Sequence, residues 1–65
     1  MTPEKANQII SKAGFTQYDV LAPSKDTRGQ WVIRVKTGKG WKYERIAGDV
    51  GDPAAQLAAF ISTLS

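Results

Sequence analysis

The sequence predicts a small α+β domain in the order α-β-β-β-α, with two helices packed on one face of a three-stranded antiparallel sheet. Three observations predict it. Apolar residues recur at helical spacing near both ends of the chain. The segment between them is rich in β-branched and aromatic residues, and a Gly-Lys-Gly turn divides that segment. The 65 residues suffice for one core and leave no room for a second, so a single domain over 1–65 is expected.

The first helix is predicted over about residues 3–13. Thr2 caps it, Pro3 suits the first helical position, and Glu4 complements the N-terminal dipole. Ala6, Ile9, Ile10 and Ala13 share one face, Gly14 is a left-handed stop, and Phe15 folds back over the last turn. A strand follows over about 17–22, where Gln17-Tyr18-Asp19-Val20-Leu21 alternates loosely before Pro23 ends it. Residues 24–29 are a polar loop. Two further strands, about 30–37 and 41–46, flank Gly38-Lys39-Gly40. The last helix is predicted over about 53–64, with Asp52 as cap, Pro53 at the first position, and Leu57, Phe60, Ile61 and Leu64 as its apolar stripe.

The length of the central turn decides which faces the side chains take. A two-residue loop sets Val35 opposite Lys42 and Ile33 opposite Glu44, which mixes apolar and charged groups on one face. A three-residue loop sets Val35 opposite Tyr43 and Arg34 opposite Glu44, with Gly40 in a left-handed position. A slip of one residue exchanges the two faces, so separation of polarity selects the three-residue loop. One face then carries Trp31, Ile33, Val35, Trp41 and Tyr43 as core. The other carries Val32, Arg34, Lys36, Lys42, Glu44 and Ile46, with Lys36 and Lys42 directly opposed and Glu44 partnered by Arg34. Trp41, beside the turn, is the aromatic expected to be partly exposed and is a candidate interaction hot spot.

Composition narrows the chemistry. With no cysteine and no histidine, disulfides, thiolate sites, thiol nucleophiles and the commonest general base are excluded. Gly38-Lys39-Gly40 lacks the phosphate-loop spacing and precedes a strand, so it reads as a hairpin turn. Asp49 and Asp52, with Gly48 and Gly51, do not match a calcium loop and read as a turn ending in a helix cap. No serine lies in a nucleophile elbow, and no spacing selects a pair among Asp19, Asp26, Glu44, Asp49 and Asp52. The expectation is a protein without enzymatic activity, metal or cofactor. No run of about 18 apolar residues exists, and the start is not a signal sequence, so no membrane partner is expected and the cytoplasm is the expected location.

Charge is distributed unevenly. Lys25, Arg28, Arg34, Lys36, Lys39, Lys42 and Arg45 face only Asp26 and Glu44 within the middle third, whereas the rest holds two cations and four anions. Such a block suggests a polyanionic partner, and the opposed Lys36 and Lys42 would repel until an anion relieved them.

In element order, size and helix placement, the chain from Pro3 to Leu64 resembles the double-stranded RNA-binding domain. That family binds RNA with its first helix, a loop between the first two strands that usually bears a histidine, and a lysine cluster opening the second helix. Here the loop is Ser24-Lys25-Asp26-Thr27-Arg28-Gly29, without histidine, and the second helix opens with Val50-Gly51-Asp52-Pro53-Ala54-Ala55-Gln56, without lysine. A second resemblance covers Gly29 to Leu64. Gly29-Gln30-Trp31-Val32-Ile33-Arg34-Val35 and Lys39-Gly40-Trp41-Lys42-Tyr43-Glu44-Arg45 look like the N-terminal arm-binding domains of phage-type integrases, which lay a three-stranded sheet in the DNA major groove. That resemblance implies Arg34, Lys36, Lys42 and Arg45 as DNA-facing residues.

The functional expectation is a non-enzymatic nucleic-acid-binding domain, monomeric or homodimeric, that contacts phosphates through Lys25, Arg28, Arg34, Lys36, Lys39, Lys42 and Arg45. The alternative is a small interaction module or inhibitor of the kind phages and mobile elements encode, acting on a nucleic-acid-handling protein through the same face or an edge strand.

Overall fold

Thr2 opens the chain's first helix in the computed structural model, which describes residues 1–64. Its hydroxyl accepts from the Lys5 amide at 3.1 Å, and α1 (Pro3–Lys12) follows with Ala6 and Ile10 buried. Gly14 takes φ +97°, the left-handed value that stops a helix cheaply only at glycine. The three strands are β1 (Tyr18–Leu21), β2 (Gln30–Thr37) and β3 (Gly40–Ala47), antiparallel in the order β1-β2-β3. The last helix, α2 (Pro53–Ser62), starts where Asp52 Oδ1 accepts from the Ala55 amide at 3.1 Å and ends at Ser62, two residues before the predicted limit, with Thr63 as its cap. The order is α-β-β-β-α, a small α+β domain.

The core consists of Ala6 and Ile10 from α1, Trp31, Ile33 and Val35 from β2, Ile46 from β3, and Leu57 and Ile61 from α2. Every buried strand residue lies on one face of the sheet, and both helices pack there. Phe15, Tyr18, Val20, Phe60 and Leu64 close its margin. A fully buried aliphatic side chain stabilises by about 1.5–3 kcal/mol, so a core this small tolerates few losses.

The hairpin between β2 and β3 departs from the expectation. Thr37 pairs with Gly40, so the loop holds two residues, Gly38 and Lys39, rather than three. The Thr37 hydroxyl closes it by accepting from the Lys39 amide at 3.1 Å and donating to the Gly40 carbonyl at 2.9 Å, while Gly40 takes φ +106°. Val35 therefore lies opposite Lys42, Ile33 opposite Glu44 and Trp31 opposite Ile46, while Arg34 lies opposite Tyr43 and Lys36 opposite Trp41. All of β3 is exchanged relative to the polarity-separating register. Trp41 and Tyr43 leave the core, and Lys42, Glu44 and Ile46 join the helix-covered face. Lys36 and Lys42 do not oppose one another.

The position of β3 at the sheet edge explains why this register is tolerated. A charged side chain on the covered face of an edge strand reaches water sideways on its aliphatic stem. Lys42 is exposed and Glu44 half-buried, and only Ile46 is buried there. Central β2 has no such exit and keeps strict alternation, with Trp31, Ile33 and Val35 inside.

Candidate functional site

The face of the sheet away from the helices is organised by strand pairing into rows. Lys36 and Trp41 form the first, Asp19, Arg34 and Tyr43 the second, and Leu21, Val32 and Arg45 the third. The exposed large hydrophobic residues among the described residues all stand on this face: Leu21 at 55%, Trp41 at 39% and Tyr43 at 61%. Single exposed apolar residues are ordinary, but here three share one sheet face with cations between them.

Arg34 sits at the centre. Its Nε donates to Oδ2 of Asp19 across β1 and β2, and its Nη2 forms an ion pair with the same oxygen. Its guanidinium carbon lies 4.7 Å from the centroid of the Trp41 ring, reached along the diagonal from β2 to β3. The Asp19 hydrogen bond, and then the Asp19 charge, raise the Arg34 pKa above its ordinary value. The result is a fixed cation laid against an aromatic ring. The pair stays solvent-exposed, so it orients Arg34 more than it stabilises the fold.

The β1–β2 loop supplies the rim. Thr27 Oγ1 accepts from the Ser24 amide at 2.8 Å, Ser24 Oγ accepts from the Thr27 amide at 3.3 Å, and the Gly29 amide donates to the Ser24 carbonyl at 2.9 Å. This lacing holds Arg28 at φ +57° and Gly29 at φ +76°. A left-handed arginine is a strained choice where glycine would fit, and such outliers concentrate at functional positions. Gly48 pins the loop from the other side. Its amide donates to the Gly29 carbonyl at 2.8 Å, and a Cβ placed on Gly48 would stand 2.6 Å from that oxygen. Between loop and sheet lies a groove of about 370 Å³, with Leu21 and Val32 from the sheet, Asp26, Thr27 and Arg28 from the loop, and Arg45 from β3.

Of the residues singled out from sequence, Arg34, Lys36, Arg45 and Trp41 therefore meet on the open face and Arg28 stands at its rim. Lys25 is exposed in the same loop, and Lys39 lies in the two-residue turn. Lys42 is on the opposite face, beside Thr63 and Leu64, where the C-terminal end of α2 favours a cation. Glu44 is not the partner of Arg34; Asp19 is. Sequence reasoning missed Asp19 and Leu21, and it weighed Tyr43 as a stacking residue but assigned it to the core, whereas it is exposed. The available signals were the single Gly-Lys pair that a Thr-closed turn needs and the match of Asp19 to Arg34 across the first strand pair.

The open face offers hydrogen-bond donors from Arg28, Lys36 and Arg45 and apolar surface from Leu21, Trp41 and Tyr43. Among the described residues, no three His, Cys, Asp or Glu side chains gather as metal ligands, and no helix is long and apolar enough to cross a membrane. Comparison with family models, curated proteins and solved structures yields no match.

Proposed function

We propose that this chain is a small non-enzymatic domain that binds nucleic acid with the open face of its sheet and the β1–β2 loop. The observation that carries the reading is the interleaving of cations and aromatics on one uncovered face, with Lys36 beside Trp41, Arg34 beside Tyr43, and Arg45 at the groove that Arg28 rims. Lys36, Arg45 and Arg28 contact phosphates, and Lys25 extends the positive rim at the loop end, whereas Lys39 lines the helix-side recess with Lys42. Lys42 takes no part, because it lies on the helix side. Affinity is largely electrostatic and falls as salt rises.

The test is a contrast between faces. Anisotropy titration of labelled nucleic acid should show that Lys36→Glu with Arg45→Glu abolishes binding at low salt while the protein stays folded. Lys42→Glu, equal in charge change per site, should weaken it no more than a few-fold through net charge. Equal losses in the two variants would refute the face assignment. No binding by the unmodified protein at low salt would refute the function and turn attention to a protein partner.

A further inference from the structure

Resting on that reading, we infer that the open face takes single-stranded nucleic acid, with bases stacked against Trp41 and Tyr43. A duplex presents phosphates and base edges and hides the faces of its bases, so apolar surface at the centre of a contact gains little from it. Leu21, Trp41 and Tyr43 occupy that centre here. An unpaired strand offers base faces, and stacking on aromatic side chains is tolerant of sequence.

The charge on the face points the same way. Of Arg28, Arg34, Lys36 and Arg45, Arg34 is already bound by Asp19, which leaves three sheet-face and loop cations with no ion pair among the described residues to neutralise phosphates. Even with Lys25 at the rim, four contacts are few for a duplex binder that relies on counterion release. A stacking contribution makes up the difference.

The geometry suits a strand that runs along β3. Trp41, Tyr43 and Arg45 are successive residues on the open side of β3, spaced by about 6.8 Å from the rise of an extended chain. A polynucleotide on that line meets two aromatic rings and then a cation, with Lys36 and Arg34 alongside on β2. Arg34, laid against Trp41 and held by Asp19, widens the platform with a second planar group on which a base can stack. Because that pair is already ordered, less freedom is lost on binding.

The experiment uses the full chain with oligo-dT, oligo-U and the dT·dA duplex of the same length, followed by anisotropy across a salt series and by tryptophan emission. The single strands should bind at least about 10-fold more tightly than the duplex, with a log–log salt slope of about −2 to −3 for three or four phosphates. Saturation should quench the exposed Trp41, whereas buried Trp31 contributes a constant signal. Tyr43→Ala should lower single-strand affinity by about 10-fold or more, and Tyr43→Phe should restore it. Duplex binding as tight as single-strand binding would overturn the inference and leave the nucleic-acid reading standing. So would unchanged emission at saturation, which needs no variant. Absence of binding to all three probes would overturn both. A preference between oligo-dT and oligo-U, with both above the duplex, supports the inference and identifies the sugar.

Discussion

The two sides of β2 make opposite use of one strand. On the helix side, Trp31, Ile33 and Val35 are buried and fill the core; on the other, Arg34 and Lys36 are exposed and Val32 is half-buried. The β3 strand divides differently. Its helix-side residues Lys42, Glu44 and Ile46 run from exposed to buried, and its open side carries Trp41, Tyr43 and Arg45. A central strand is disciplined by cover on its flanks, so polarity dictates its faces. An edge strand is placed by its turn, and polarity follows only where the helices reach. The chain thereby releases two aromatics from core duty and leaves them on a cationic surface.

The largest expected effect comes from the core side. Ile33→Ala empties the most central position of β2, fully buried in the unmodified chain, and should cost about 2–5 kcal/mol in urea unfolding. For a domain this small, that approaches its whole stability. Tyr43→Ala, one strand away and on the open side, should cost less than about 1 kcal/mol. If the two were equally damaging, the contrast between the faces would collapse.

Gly48→Ala should cost about 1–3 kcal/mol, because the new methyl meets the Gly29 carbonyl and Pro23 and the loop must move. Displacing that loop should also weaken nucleic-acid binding through Arg28, a coupling that Ile33→Val would not produce. Removing the turn's clasp is a milder test. Thr37→Val deletes two hydrogen bonds of the hairpin and should lower stability by about 1–2 kcal/mol. The smallest change is a gain. Arg28→Gly relieves a left-handed backbone at the cost of extra unfolded-state freedom, for a net of about 0.5 kcal/mol in melting experiments, while removing one proposed phosphate contact.

These differences also mark what the chain's residues reveal without coordinates. Thr2, Pro3 and Gly14, like Asp52 and Pro53, are local signals whose meaning needs no tertiary context, and both helices start where those residues place them. The alternation of β2 was equally legible, because a central strand has one consistent core face. The face of β3 was not. Requiring clean polarity on an edge strand favoured a three-residue loop, whereas the Thr37 hydroxyl closes a two-residue loop and Lys42 escapes to solvent. The site followed the same line. Arg34, Lys36 and Arg45 were legible as cations of the sheet, but their aromatic neighbours and the Asp19 clasp depend on register across three strands. Lys42 was assigned to the wrong face for the same reason.

The open face, with Trp41 outward and Trp31 inward, is the surface proposed to bind. Proton–nitrogen NMR of the two indole groups during titration with an unpaired oligonucleotide tests that proposal most directly. The Trp41 indole resonance should shift progressively and saturate with the backbone amides of β3 and the β1–β2 loop, while the Trp31 indole and the amides of α1 stay in place. Shifts concentrated in α1 and at the start of α2, with the Trp41 indole unmoved, would contradict it.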